Sequence, residues 1–396
     1  MRATQSPPMM TTLILLTAFS IIVQNMFLPS LSAMAQDFGV SYATANTLVA
    51  GFLFVTAGVS FFLGPLSDYY GRRLVMIWSF AIFCAATLGC LFAQSFELFL
   101  IFRMIQTVVV AGLLLSRAIL RDLFDDKGAA KKIAQLSMAM AVVPMLAPIM
   151  GGVLQETFGW RANFVAFLGI GLALLGLVIA DLGETAGREF TSFRDQIKTY
   201  PTILKSRRFW GYTLTVSFSI GTFYTFLGAV PVIGETLLDL KPREVGFFLG
   251  IITAGFFCGN FVSSKLSDHM AFPKMMILGR SASLFGALLG ISLISLGWVS
   301  PITVIGCGIF AGFGNGLTIP VGNTGIMSVN PKLAGSAAGS SSVVFLLISA
   351  ICSLLAGIFA ADFISPYTLP VMLAVISAVG LLCAIYTHWA EGRVSG

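Results

Sequence analysis

Twelve apolar runs separated by short polar breaks constrain this sequence more than anything else in it. They fall near 10–35, 42–66, 73–94, 96–122, 131–156, 162–182, 208–234, 243–266, 274–298, 301–326, 334–361 and 366–388. Each is long enough to cross roughly 30 Å of hydrocarbon as a helix. A β-barrel would show short alternating segments instead. A water-soluble domain of 396 residues is not 57% apolar with a mean hydropathy of +0.93. The first run has no small-residue cleavage site after a short core, so it reads as a retained helix. The expected class is an all-α polytopic membrane protein with twelve transmembrane helices.

The net charge of +6 does not point to nucleic acid, because the bases are scattered through short loops rather than gathered on one soluble element. With the N-terminus placed inside, 17 Lys and Arg residues fall on the cytoplasmic side. Only Arg161, Lys241 and Arg243 fall outside, and Arg103, Arg117 and Arg280 lie within helices. Cytoplasmic loops carry the excess of Lys and Arg, so both termini are expected in the cytoplasm. The six cysteines sit inside apolar runs without metal-ligand spacing, so no metal, cofactor or disulfide is expected. His269 and His388 lie at helix ends, which leaves no catalytic constellation for an enzyme. No selectivity-filter loop suggests a channel.

The polar stretch 184–207 divides the chain into halves 1–183 and 208–396. Phe190, Phe193, Ile197, Ile203 and Leu204 in and around it could lie along one face of a helix at the membrane surface. Leu66-Ser67-Asp68 recurs as Leu266-Ser267-Asp268, each time at the end of the second helix of a half. A repeat at half length is what a parallel-repeat transporter predicts.

The first copy belongs to the stretch from Gly64 to Arg73, which packs Pro65, Asp68, Gly71, Arg72 and Arg73 between two apolar runs. Arg72 and Arg73 read either as topological anchors or as parts of a gate that locks two halves together. The stretch resembles the loop between helices 2 and 3 of the major facilitator transporters, G-x-x-x-D-R-x-G-R-R. Gly64, Asp68, Gly71, Arg72 and Arg73 match, and Tyr69 stands where the family has Arg. The resemblance implies a major facilitator fold of two six-helix halves, with a small-molecule substrate, the lipid bilayer as surroundings and a single chain as the working unit.

In helix 4, ideal helical geometry puts Arg103, Gln106, Val110, Arg117 and Arg121 within about 60° of one line. Such a stripe must face the bundle interior or a wet cavity. Arg121 and its neighbour Asp122 read rather as an inner-surface charge cluster. Arg103 with Gln106, and then Arg117, Ala118, Arg121 and Asp122, resemble the fourth helix of the Bcr/CflA drug exporters, L-R-F-x-Q-G and R-A-x-x-R-D. In helix 5, Pro144, Pro148, Gly151 and Gly152 resemble the exporter motif G-P-x-x-G-G, with Ala147 in place of the first Gly, and Gly159-Trp160-Arg161 also matches that subfamily. On this resemblance the chain is identified as a bacterial inner-membrane exporter of small amphipathic drugs, phenicols or other neutral compounds. A metabolite or organic-anion exporter is the alternative.

The informative departure is in helix 1, Gln24-Asn25-Met26-Phe27-Leu28-Pro29. The subfamily commonly has T-D-M-Y-L-P there, so Asn25 replaces a buried acid. Asn cannot bind and release a proton, and no acid lies near any other helix midpoint. Protons, the coupling ion the resemblance implies, lose their usual carrier. The expected cavity is neutral to positive. Gln24, Asn25, Met26, Arg103, Gln106, Arg117, Phe223 and Tyr224 are the candidate substrate contacts, and compliant Met34 and Met138 could add surface.

Overall fold

In a computed structural model that describes residues 8–185, 203–267, 269–330 and 333–393, all of the regular structure is helical. The helices are α1 (Met10–Phe38), α2 (Tyr42–Tyr70), α3 (Arg72–Phe92), α4 (Phe96–Leu123), α5 (Asp126–Phe158) and α6 (Arg161–Asp181) in the first half. The second half holds α7 (Arg207–Leu237), α8 (Pro242–Leu266), α9 (Phe272–Ser295), α10 (Ile302–Ser328), α11 (Gly335–Asp362) and α12 (Thr368–Gly392). Among the described residues, eleven of these are long and apolar enough to cross a membrane. The twelfth, α5, has 33 residues, of which Val142–Phe158 form the apolar part. Phe190, Phe193 and Ile197 of the expected surface helix lie outside the described residues.

Local chemistry explains where the helices bend. Pro29 has no N–H to donate, and the α-helix stops at Asn25, passes through a 3-10 turn at Leu28–Ser30 and resumes at Leu31. Pro144 and Pro148 sit inside α5, which stays helical through both. In α4 a 3-10 segment spans Gln106–Val110. That tighter winding breaks the 100° spacing assumed for the helix 4 stripe. Arg103 and Gln106 of the stripe are fully buried, and Arg121 is exposed in the last turn of the helix, next to Asp122.

The two ends of the bundle differ. At the end holding Gly39, Gly159 and Lys241, the halves touch. Tyr42 Oη donates to the carbonyl of Gly228 at 2.8 Å, and Asn46 Nδ2 donates to the carbonyl of Ser353 at 2.6 Å. Helices α5 and α8 meet backbone to backbone there. A Cβ on Gly152 would stand 2.4 Å from the Pro242 carbonyl oxygen, and one on Gly246 would stand 2.4 Å from that of Pro148. Small residues let helices approach this closely in a membrane. At the end holding Arg72 and Arg73, α2 and α11 are instead separated by a 420 Å³ crevice, with Asp68 on one wall and Gly335 and Ser336 on the other.

Candidate functional site

The charged turn is built around Arg72, whose side chain is 12% exposed. Its guanidinium lies 2.6 Å from Asp68, one helical turn back, and 3.1 Å from Asp122 at the end of α4. It also donates to Ser67 Oγ. Its backbone N–H donates to Glu184 at 2.8 Å, and Arg73 donates to the carbonyl of Ile179 at 2.9 Å. Gly71 has φ +98°, a conformation that L side chains rarely adopt, and a Cβ there would run into the Glu184 carboxylate. Arg72 therefore clamps α2, α3 and α4 of one half. Tyr69 is exposed. Gly64 and Asp68 line the crevice facing α11; Arg121 and Asp122 are surface residues of the same end.

Arg103 lines neither the crevice nor the seam cavity described below. It is fully buried between the rings of Phe27 and Phe52, with its charge centre 4.2 and 4.5 Å from their centroids. It donates to Gln106 Oε1 and to the carbonyl of Val23, both at 2.8 Å. Gln106 Nε2 in turn donates to Thr87 Oγ1 at 2.7 Å. Asn25 is also buried. Its Nδ2 donates to the Ile21 carbonyl at 2.9 Å, and its Oδ1 has no partner among the described residues. Met26 is buried where α1 meets α5: a Cβ on Gly151 would overlap its carbonyl oxygen. Gln24 and Arg117 are half-buried. Arg103 and Gln106 are bonded to each other inside the first half, Arg117 lies about 20 Å further along α4, and neither the seam cavity nor the crevice is lined by any of these residues.

The cavity at the seam between the halves has a volume of 160 Å³. Pro144 of α5 forms one wall. Ile220 and Phe223 of α7, Ile252, Thr253 and Phe256 of α8, and Gly312, Asn315 and Ile319 of α10 form the others. Of the expected contacts, Phe223 lines it, and Tyr224 beside it is buried. None of the lining residues is charged. The sequence reading missed Asn315 and the buried residues behind it. Arg280 of α9, fully buried, donates from Nη2 to Asn315 Oδ1 at 2.6 Å and from Nε to Thr318 Oγ1 at 3.2 Å. Ser219 and Thr222 of α7 donate to the same Oδ1 at 2.7 and 3.2 Å. A usable signal was present: an Asn in Gly312-Phe313-Gly314-Asn315-Gly316, with Arg280 inside the preceding apolar run.

Gly159, Trp160 and Arg161 also acquire a structural reason. Gly159 turns the chain with φ +80°, and Trp160 Nε1 and Arg161 both donate to Asp37, at 3.1 and 2.7 Å. This ties α6 to the second piece of α1 at the closed end.

Comparison with known proteins fits this arrangement. The chain is 27% identical over 340 residues to the uncharacterized MFS-type transporter YdgK of Bacillus subtilis, covering 83% of each chain. It is 27% identical over 344 residues to the multidrug resistance protein MdtL of Klebsiella pneumoniae, covering 84% of this chain and 86% of that one. It is likewise 27% identical over 313 residues to a chloramphenicol resistance protein of Pseudomonas aeruginosa, covering 75% and 73%. The fold is similar to the crystal structure of a bacterial homolog of the human lysosomal transporter Spinster in an inward-facing, unoccupied conformation. The TM-score is 0.75 at 14% identity, over 96% of both chains. Residues 13–351 match the Major Facilitator Superfamily. This chain is thus a multi-pass membrane protein and a transporter rather than an enzyme, and it belongs to the Major Facilitator Superfamily.

Proposed function

We propose that the chain exports small amphipathic drugs, phenicol-like or other neutral compounds, across a bacterial inner membrane by alternating access. The observation that carries this reading is the seam cavity. Its walls are aliphatic and aromatic, and its polar groups, Thr253 and Asn315, are neutral. Such a surface suits an uncharged amphiphile. The names of the relatives, multidrug resistance protein MdtL and chloramphenicol resistance protein, support the same direction. The segments 1–183 and 208–396 are the two bodies that rock about this cavity, joined by 184–207. Both termini lie in the cytoplasm, which makes the crevice between Asp68 and Ser336 an inward opening and the α5–α8 contact the outer closure. The working unit is one chain, because both walls of the cavity come from the same polypeptide. If protons drive export, the carrier is a residue other than Asn25.

An organic-anion exporter is the second reading. It is favoured by Arg280, a buried cation one residue behind the cavity wall, with no carboxylate partner among the described residues.

The test is uptake by purified protein in liposomes, with and without an imposed pH gradient. The panel is chloramphenicol, a neutral dye, ethidium and an aryl carboxylate. Transport of the neutral compounds is expected. Transport confined to the carboxylate would favour the second reading, and transport of ethidium alone would overturn both. The topology has its own check. A single cysteine replacing Lys241 should label from outside intact cells, and one replacing Lys198 should not. The reverse pattern would invert the assignment.

A further inference from the structure

The Asn315 amide is held in one orientation. An arginine only donates, so the atom of Asn315 that faces Arg280 Nη2 at 2.6 Å must be the acceptor oxygen. Ser219 and Thr222 add two more donors to that oxygen. Three hydrogen bonds from two other helices therefore crowd Oδ1, and Nδ2 is left on the other edge of the planar amide. Asn315 lines the seam cavity, and among the described residues its hydrogen bonds all fall on Oδ1 and none on Nδ2. The position is set by backbone packing. A Cβ on Gly314 would stand 2.1 Å from the Gly279 carbonyl oxygen, and one on Gly316 would stand 2.3 Å from that of Phe256. Helix α10 is thus pressed between α9 and α8 at this level. Arg280 is pinned in the same way: its stem would lie 3.0 Å from a Cβ on Gly380 of α12.

We propose that Asn315 is the specificity-determining hydrogen-bond donor of this transporter. Its Nδ2 donates to an amide carbonyl oxygen at one end of a neutral amphiphilic substrate. This assignment rests on the drug-export reading above. A buried amide N–H that finds no partner costs on the order of 1–3 kcal/mol, so an acceptor on the ligand is rewarded and a ligand without one is disfavoured. Burial of the Arg280 charge behind the amide polarises it further and disfavours a cationic group in the same place. The cavity is smaller than a whole drug, for which roughly 300 Å³ or more is usual. It therefore holds the acceptor-bearing end, between Phe223, Ile220 and Phe256, while the rest of the ligand extends along the seam.

The experiment is binding of chloramphenicol to the full chain in nanodiscs, by titration calorimetry. Asn315→Asp keeps the shape of the side chain and gives Arg280 an anionic partner, so the fold is retained. It removes both N–H donors and offers the ligand an acceptor instead. An affinity loss of about tenfold or more is expected. A second measurement needs no variant. The wild type should bind chloramphenicol at least about tenfold more tightly than the amine left when its dichloroacetyl group is removed, because that amine lacks the carbonyl acceptor and carries a positive charge. Equal binding of the two ligands, or unchanged binding by a folded Asn315→Asp, overturns the assignment and leaves drug export standing. Failure of the wild type to bind chloramphenicol at all, together with no transport in liposomes, removes the export reading and this site with it.

Discussion

The two buried arginines show how differently the halves are built. Arg103 sits between two phenylalanine rings and bonds to a backbone carbonyl of α1 and to Gln106, which reaches Thr87 of α3. Its partners all belong to the first half and none lines the seam cavity. Arg280 holds the side chains of Asn315 and Thr318, and Asn315 does line that cavity. A buried arginine is expensive in a membrane and needs compensation by polar or aromatic partners. In the first half the compensation fastens α1 to α4 into one body. In the second half it orients an amide toward the place where the halves meet. One residue type thus serves cohesion on one side and presentation on the other.

The sharpest way to break this contrast is to remove each charge while keeping the bulk of its stem. Arg103→Met leaves Gln106 Oε1 and the Val23 carbonyl without their donor and empties the space between Phe27 and Phe52. We expect about 3 kcal/mol of lost stability, seen as a large fall in melting temperature and in the yield of folded protein in detergent. Arg280→Met should leave more protein folded, since Ser219 and Thr222 still donate to Asn315, but should cut transport about tenfold, because the amide is then free to turn. Equal losses of folded protein in the two variants would mean that the halves use their arginines alike.

The closed seam is the next place to press. Gly152→Ala and Gly246→Ala push α5 and α8 apart exactly where they touch backbone to backbone, whereas a Cβ on Gly169 of α6 meets nothing within 4 Å. The first two should lower drug transport by about fivefold while Gly169→Ala leaves it unchanged, because only the former bias the equilibrium between the two seam states. The readouts are transport and the labelling rate of a single cysteine at position 46. Labelling in Gly246→Ala at the wild-type rate would detach this contact from gating.

How much of this was legible beforehand follows from the kind of information involved. The twelve helices could be read because apolar run length alone decides a membrane span, as in Arg161–Asp181. Arg72 with Asp122 could be anticipated because sequence places both at helix ends on one side. The seam cavity could not. Its walls depend on which glycines of α8, α9 and α10 approach one another, and Gly279 with Gly314, or Gly316 with Phe256, are far apart in the chain. The helix 4 reading assumed an unbroken α-helix across Gln106–Val110, where the chain winds as 3-10; Arg103 and Gln106 are nevertheless buried, and Arg121 lies exposed at the helix end. Asn25 was singled out as a departure, and in space it is a buried residue whose Nδ2 donates to the Ile21 carbonyl of its own helix.

The smallest effect tests whether the repeated Leu-Ser-Asp motif does the same work in both halves. In the first half Asp68 is the i, i+4 partner of Arg72, which Asp122 and Ser67 also hold, and it borders the crevice facing Gly335 and Ser336 at the start of α11. Closing that crevice brings the carboxylate toward a helix N-terminus, where a negative charge is favoured by up to about 1 kcal/mol. Asp68→Asn removes both that attraction and the Arg72 pair, so transport should drop roughly fivefold at normal expression. The second copy ends at Asp268, which lies outside the described residues, and its sequence lacks the double arginine: after His269, Lys274 is the first Lys or Arg to follow. Without an arginine one turn on, the acid has less to hold, and Asp268→Asn should change transport by no more than about twofold. The measurement is the initial rate of chloramphenicol efflux for both variants at matched protein levels. Equal, large losses would make the gate two-fold symmetric, and the difference between the halves would then be confined to their buried arginines.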